Sequence, residues 1–204
     1  MNRIHRIARF SPGVAVVAAL SFALAVLVAL QSDLGFRPTQ HPLGLLASLP
    51  GTEGLFYRVL LYLIPGSAAL LGVIGVWERL SPWRSGRLAA MLFGLAAIGF
   101  LGMGVFTLQL DDLDGNGSGL HAASWLLWLS AWLAGLVLLS VTGFRARLPV
   151  AGGISALLAL GTALLAAGGD GVFTGPAAQL ICWTGWLLGQ LCLAGGWPVQ
   201  PSRR

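Results

Sequence analysis

The sequence contains no lysine and very little charge of either sign. All twelve of its basic residues are arginine, seven residues are acidic, and charged residues make up 9% of the chain. The absence of lysine excludes chemistry that depends on its amine, such as a retinal or pyridoxal Schiff base or a phosphate-loop lysine. A soluble domain usually carries about 25% charged residues. This chain therefore cannot cover a globular surface with charge.

Cysteine is also scarce, with one residue at Cys182 and one at Cys192. Both fall in one apolar run, where helical geometry would separate them by about 15 Å along the axis. A disulfide requires Cα atoms within about 7 Å of each other. The two cysteines therefore cannot pair with each other, and we interpret both as small buried hydrophobic residues.

The residues that fill the sequence are apolar: 56% are hydrophobic and the mean hydropathy is +0.82. A membrane-spanning helix needs about 20 predominantly apolar residues. Six such runs occur, none with an acidic or basic residue in its interior: 14–30, 59–77, 88–108, 120–142, 148–167 and 175–196. The sequence therefore predicts an all-α integral membrane protein, a single six-transmembrane-helix bundle that occupies residues 1–204 as one membrane domain.

The connections between these runs predict the orientation in the membrane. Ten of the twelve arginines lie at the two termini and in the second and fourth loops: Arg3, Arg6, Arg9, Arg79, Arg84, Arg87, Arg145, Arg147, Arg203 and Arg204. Six of the seven acidic residues lie in the alternate connections: Asp33, Glu53, Asp111, Asp112, Asp114 and Asp170. Positive loops stay in the cytoplasm. We therefore expect a multi-pass protein of the bacterial inner membrane with both termini cytoplasmic.

The arginines also bear on partners. A pI near 10.6 would suggest nucleic acid in a soluble protein. The location of the arginines in cytoplasmic loops explains the high pI better here. The predicted partners are therefore membrane lipids and not nucleic acid. Small residues recur at four-residue spacing, for example at Ala131/Gly135 and Gly185/Gly189, and predict close helix packing within the bundle. Homo-oligomerisation through Gly185/Gly189 is the alternative.

Local signals predict features inside and between the spans. The long outer connection 31–57 is punctuated by proline and glycine, and we expect a loop with a short interfacial helix at 43–49. Pro65 beside Gly66 predicts a kink in the second span. Trp77, Trp83 and Trp197 fit a cytoplasmic aromatic belt, and Trp125 an outer one.

Polar residues concentrate on the predicted outer face. Asp33 follows the first span, Asp112 follows the third and His121 opens the fourth, so all three are expected at one depth. We predict that they form a catalytic or binding site, with Ser32, Arg58 and Asp114 as further binding residues. The alternative is that His121 is a helix-start residue bonded to loop backbone, and that Gly35 with a positive φ ends the first helix.

The loop after the third span resembles half of a calcium-binding loop. Asp112, Asp114 and Asn116 provide oxygen ligands at positions 1, 3 and 5, and Gly117 stands at the turn position. The last ligand, normally glutamate at position 12, is replaced by Ala123. The alternative is a polar turn in which glycine and asparagine adopt positive φ. We therefore predict no cofactor, with a divalent cation at Asp112, Asp114 and Asn116 as the alternative.

Several chemistries are excluded by missing motifs. The spans contain no histidine pair for haem, no Gly-x-Ser-x-Gly elbow, no His-Glu-x-x-His helix and no mid-membrane ionisable residue of the kind that pumps use. The leading hypothesis is a membrane protein that engages a lipid or small amphiphile at an outer-face polar site. The alternative is a membrane-embedded hydrolase or transferase that uses Asp33, Asp112 and His121, with or without a metal.

Three short motifs carry a resemblance to a known family: Ser32-Asp33-Leu34-Gly35, Gly102-Met103-Gly104-Val105-Phe106, and Asp112 followed by His121-Ala122-Ala123. With them the chain resembles, over residues 10–195, the bacterial membrane family catalogued as "domain of unknown function 998", which is distantly similar to the eukaryotic Frag1/DRAM/Sfk1 group. The family's usual prolines around Asp112 are missing here, and Thr107 replaces the first. The resemblance implies six spans with an outer-face site and no particular reaction.

Overall fold

The fold is a bundle of helices. The computed structural model describes residues 3–80, 82–167 and 175–196, and these contain no β-strand. Eight α-helices and one π-helical turn, Val59–Leu63, follow each other in these ranges. The α-helices are α1 Arg3–Gln31, α2 Gly44–Ala47, α3 Gly51–Arg58, α4 Ile64–Leu80, α5 Arg84–Val105, α6 Asn116–Arg145, α7 Pro149–Ala167 and α8 Gly175–Gly196.

Five helical stretches of the described chain are long and apolar enough to cross a membrane: Pro12–Gln31, Gly51–Trp77, Arg84–Val105, Asn116–Arg145 and Pro149–Ala167. Many large apolar side chains on these helices face outward, among them Leu20 at 64% and Leu157 at 70% exposure. Such a surface is unfavourable in water and suits contact with lipid. The chain is therefore a multi-pass helical membrane protein.

The sixth predicted span, 175–196, coincides with helix α8, which is not among those five stretches. Four residues used in the charge and aromatic-belt predictions lie outside the described residues: Asp170, Trp197, Arg203 and Arg204.

The boundaries of the second and third spans differ from the predicted ones. Helix α3, the π-helical turn and α4 run without interruption, so the second span begins at Gly51 rather than at residue 59. Pro50 in an extended conformation precedes this helix. Glu53 in the first turn then interacts favourably with the helix dipole. Helix α5 ends at Val105 instead of residue 108, because Phe106 is extended, with ψ 98°.

The long helices form a ring in chain order. Each of α4 to α7 packs against the next helix, α1 packs extensively against α4, and α8 closes the ring against α1. The helices α4 to α7 are joined in order by connections of at most ten residues, so consecutive members are antiparallel. The short helix α2 comes from the connection after α1, and α3 begins the second span; both lie at the end of the bundle that holds the C-terminal end of α1.

Aromatic rings fill the interior of this ring. Phe100 of α5 lies 4.2 Å from Trp186 and 5.3 Å from Trp183, both of α8, measured between ring centroids. Trp128 of α6 packs edge-on against both tryptophans. These tryptophans and Trp132 are fully buried. Four of the seven tryptophans within the described residues thus form the core and do not belong to a membrane-surface belt.

Glycine permits the closest helix contacts. A Cβ atom at Gly99 of α5 would lie 2.6 Å from the backbone nitrogen of Trp128 in α6. Similarly, a Cβ atom at Gly143 of α6 would lie 2.6 Å from the backbone nitrogen of Gly152 in α7. Real side chains do not approach backbone atoms this closely, so both helix pairs depend on the missing Cβ atoms.

The small residues of the α8 motif pack within the same chain. A Cβ atom at Gly189 would lie 2.6 Å from the Trp132 ring of α6, and one at Gly185 would lie 4.0 Å from Leu158 of α7. These two positions take part in the intramolecular packing that the spacing of small residues predicts.

The predicted distortion at Pro65 takes the form of the π-helical turn that precedes it. Within this turn the Ile64 backbone N–H donates to the Val59 carbonyl, five residues earlier. The next such bond would run from residue 65 to Leu60, but proline has no N–H. Ser21 of α1 provides the missing donor, because its hydroxyl donates to the Leu60 carbonyl at 2.8 Å. The distortion thereby fixes α1 against the second span.

Candidate functional site

The acidic residues predicted for the site lie on the surface. Asp33, Asp112 and Asp114 are exposed, as is Asn116, which begins α6. Within the described chain, neither Asp33 nor Asp112 forms a hydrogen bond or ion pair with His121. No three histidine, cysteine, aspartate or glutamate side chains there lie close enough together to hold a metal ion. The catalytic set and the divalent-cation site both remain predictions.

The loop that carries Asp112 is held by one buried serine. Ser118, 2% exposed, accepts a hydrogen bond from the Gln109 backbone N–H at 3.0 Å and donates to the Asp112 carbonyl at 2.9 Å. The loop is thus a polar turn pinned to the start of α6. Neither Asn116 nor the glycines beside it adopt positive φ, contrary to the expectation for this turn; Gly115, for example, has φ −71°.

Ser32, Gly35 and Arg58 have local structural contacts. The Ser32 hydroxyl donates to the Ala29 carbonyl at 2.8 Å within the same helical turn. The Arg58 Nε donates to the Ala47 carbonyl at 3.0 Å and so stabilises the C-terminus of α2, where a cation is favourable. Gly35 has the predicted positive φ of 63°, four residues beyond the end of α1.

His121 is fixed by backbone carbonyls, as the alternative interpretation of this residue predicts. Its Nδ1 lies 2.8 Å from the Phe106 oxygen and 3.2 Å from the Met103 oxygen. Carbonyl oxygens only accept hydrogen bonds, so Nδ1 carries the proton and acts as the donor. In the neutral ring Nε2 is then a free acceptor.

Tyr62 of the π-helical turn packs against the ring of His121. The two rings are perpendicular, with centroids 6.2 Å apart. Tyr62 is fully buried, and its hydroxyl has no hydrogen-bond partner within the described residues. Gly104 makes room for it, since a Cβ atom there would lie 2.7 Å from the Tyr62 Cβ. Within the described residues, the unpaired Tyr62 hydroxyl and the unpaired His121 Nε2 are therefore neighbours at the end of α5.

Gly44 of helix α2 covers this pair. The position of a Cβ atom at Gly44 is 3.6 Å from the Tyr62 hydroxyl oxygen and 3.9 Å from His121 Nε2. Both polar atoms thus lie close to the backbone of α2.

A cleft opens beside these residues, between the ends of α6, α7 and α8 that lie nearest α2. Its volume is about 440 Å³, and it is lined by Pro42, Trp125, Trp128, Leu129, Leu165, Ala166, Gly175, Pro176, Ala178, Gln179, Cys182 and Trp183. Cys182, a free and buried cysteine, thus lies in its wall, as does Trp183. Most of the lining is apolar.

Gln179 is the polar residue of the cleft wall that links this wall to the connection after α1. Its side-chain oxygen accepts a hydrogen bond from the Leu43 backbone N–H at 3.2 Å. Trp183, one helical turn further along α8, packs edge-on against Tyr62 with centroids 5.3 Å apart. The cleft and the Tyr62–His121 pair therefore share a wall.

Sequence reasoning identified His121 but missed Tyr62, Gly44 and the cleft. Tyr62 lies within an apolar run and has no motif around it, and Gly44 is one of 29 glycines. Pro65 was the available signal, because a proline inside a span often accompanies an irregular helix near a functional site.

The fold and the cleft define this chain as a multi-pass helical membrane protein with a ligand-sized cleft at one end of its bundle. No family model, curated protein or solved structure matches the chain. The resemblance to the six-span bacterial family remains a prediction based on short motifs.

Proposed function

We propose that this protein is a six-span protein of the bacterial inner membrane, with both termini cytoplasmic, that holds a lipid or small amphiphile in the cleft between α6, α7 and α8. The cleft is the observation that carries the proposal. In this orientation it lies at the outer face, because the connection between α1 and α3 borders it. The six-span membrane topology rests on the arginine distribution and on the length of α8.

The size and lining of the cleft suit an amphiphile. Sites for small organic ligands usually measure about 300–1,000 Å³ and combine apolar walls with a few polar groups, and the cleft of about 440 Å³ falls in this range. Trp128, Trp183 and Leu129 offer contact to a hydrocarbon chain, and the Gln179 amide offers polar contact near the loop.

The packing of α6 and α7 supports an opening at this end. The two helices touch backbone to backbone at Gly143 and Gly152, close to the turn that joins them. Towards their other ends Leu129 and Leu165 line the cleft instead. Because this backbone contact lies near the turn, an acyl chain that enters between Leu129 and Leu165 would leave it intact.

A photoreactive probe tests the proposal. The purified full chain would be labelled with a diazirine analogue of palmitic acid, and labelled peptides identified by mass spectrometry. We expect labelling to concentrate on residues 176–183 and on the ends of α6 and α7 that line the cleft. Ala178→Phe fills the cleft and should reduce this labelling several-fold.

Ala134→Phe is the matched control, since Ala134 is exposed on α6 and does not line the cleft. It should leave the labelling of residues 176–183 unchanged. Labelling spread evenly over the lipid-facing surface, with no loss in Ala178→Phe, would contradict the proposal.

A further inference from the structure

We infer that the end of the bundle opposite the cleft binds the phosphate of an anionic phospholipid, whose acyl chains lie against the outward faces of α5 and α6. This surface is separate from the cleft and does not depend on the ligand proposed there. Four exposed arginines at the start of α5 and the end of α6 form it, and we call them the arginine rim: Arg84, Arg87, Arg145 and Arg147.

A hydrogen bond between side chains brings the two halves of the arginine rim together. The Thr142 hydroxyl of α6 donates to the Ser85 hydroxyl of α5 at 2.8 Å, although the two residues are 57 positions apart. Arg84 precedes Ser85, and Arg145 follows Thr142 by less than one helical turn. The first turn of α5 and the last turn of α6 therefore lie at one depth, with their arginines side by side.

The positive charge of the arginine rim is not balanced by acidic side chains. In the described part of the chain none of the four guanidinium groups forms an ion pair. Asp33, Asp112 and Asp114 lie at the other end of the bundle, a helix length of about 33 Å away. Guanidinium groups bind phosphate oxygens through short, charge-assisted hydrogen bonds. A phosphate group is therefore the complementary ligand.

The arginines of α5 stand at the head of a lipid-facing stripe. Residues spaced three, four, seven, eleven and fourteen positions apart share one face of a helix. From Arg84 this spacing reaches Arg87 and then four apolar residues, each about half exposed: Leu88, Met91, Leu95 and Ile98. The face thus offers cations at one end and hydrocarbon contact below them.

Helix α6 repeats this arrangement beside α5. Arg145 lies four residues after Val141 and eight after Val137, so the three share one face, and both valines are exposed. An anionic headgroup above two acyl chains matches these two neighbouring faces. In the proposed orientation this end faces the cytoplasm, where the leaflet carries anionic lipids that attract basic side chains.

Arg147 occupies a backbone position that favours glycine. Its φ is 59°, and it follows α6 in the turn that the Leu148 N–H closes by donating to the Gly143 carbonyl at 2.9 Å. Helices commonly end with glycine in this conformation, because other residues adopt it at an energetic cost. The chain thus places a cation here at the expense of backbone stability, which supports a role for its charge.

The test compares two probes with the same acyl chains, 1,2-dioctanoyl phosphatidylglycerol and 1,2-dioctanoyl phosphatidylcholine. Their affinities for the purified full chain in a non-ionic detergent would be measured by native mass spectrometry. One arginine near an anionic headgroup changes binding about fivefold. With two arginines on one phosphate, we expect the wild-type protein to prefer phosphatidylglycerol about twentyfold.

Two variants of the arginine rim separate charge from folding. Arg84→Gln and Arg147→Gly should each reduce the preference about fivefold. Because glycine suits the positive φ of residue 147, Arg147→Gly should also leave the protein equally stable or more stable to heat. Arg37→Gln is the matched control, since Arg37 is exposed at the other end of the bundle. It should retain the wild-type preference.

Three results would overturn the inference. The first is equal affinity of the wild-type protein for both probes. The second is an equal loss of preference in Arg37→Gln, which would show that the net charge of the protein, and not the arginine rim, attracts the lipid. The third is displacement of phosphatidylglycerol by inorganic phosphate in the same concentration range, which would assign the surface to free phosphate.

Discussion

Several glycines in this protein matter because they lack a side chain. Gly104 makes room for Tyr62 beside His121, and Gly143 lets two helices meet through their backbones. In a membrane, where apolar side chains gain little by leaving lipid for another apolar surface, such close contacts provide much of the packing energy. A methyl group added at Gly104 or Gly143 is therefore expected to be destabilising.

Gly143→Ala tests this at the contact between α6 and α7. The new methyl group would lie 2.6 Å from the Gly152 backbone nitrogen, so the helices must separate, and we expect a loss of about 1–3 kcal/mol in the free energy of unfolding. Reversible unfolding of the purified protein in mixed micelles measures this quantity.

Gly153→Ala provides the matched control for that experiment. A Cβ atom at Gly153 would meet nothing within 4 Å, so the higher helix propensity of alanine should leave the protein equally stable or more stable by up to about 1 kcal/mol. Equal destabilisation by both substitutions would show that the close contact at Gly143 does not matter.

At the scale of elements, the second span shows how a local defect is compensated by a neighbouring helix. Pro65 removes the donor that the Leu60 carbonyl would use, and the Ser21 hydroxyl replaces it. An unsatisfied carbonyl in the interior of a membrane protein is unfavourable. The same irregular turn carries Tyr62, so the compensation by α1 also stabilises the backbone of the candidate site.

A double-mutant cycle tests this coupling. Ser21→Ala should lower the free energy of unfolding by about 1 kcal/mol, because it leaves the Leu60 carbonyl without a donor. In a Pro65→Ala background the restored N–H can bond within the helix, so the cost of Ser21→Ala should fall towards zero. The same cost in both backgrounds would show that the serine does not compensate for the proline.

At the scale of the whole molecule, the ring of helices creates one end that differs from the other. At the end that holds α2, the chain provides the cleft, the Tyr62–His121 pair and the exposed carboxylates of Asp33 and Asp112. At the opposite end lie the arginine-rich connections before α5 and after α6. This polarity is the basis of the proposed orientation.

Topology reporters test that orientation. Alkaline phosphatase is active only outside the cytoplasm, so its insertion within residues 112–119 should give an active enzyme and its fusion after Arg204 an inactive one. A fluorescent protein that folds only in the cytoplasm should give the reverse result. Phosphatase activity after Arg204 would contradict both the cytoplasmic C-terminus and the sixth span.

The sequence by itself determined the class of this protein, because hydrophobicity and charge act locally and independently of helix order. Apolar runs of about 20 residues predict helices in lipid whatever surrounds them, and five of the six predicted runs are helices that can cross a membrane. His121 could be identified in the same way, since a histidine at the end of an apolar run is visible in the sequence.

Only the tertiary structure decided which partners these residues have. Tyr62, Gly44 and His121 come from three separate parts of the chain, and their association depends on how α2 folds over the end of α5. Among the tryptophans that the sequence places only near helix ends, packing puts Trp132 and Trp186 in the core and Trp125 in the cleft wall. Contacts between distant residues follow from the shape of the assembled bundle, which no local pattern of hydrophobicity specifies.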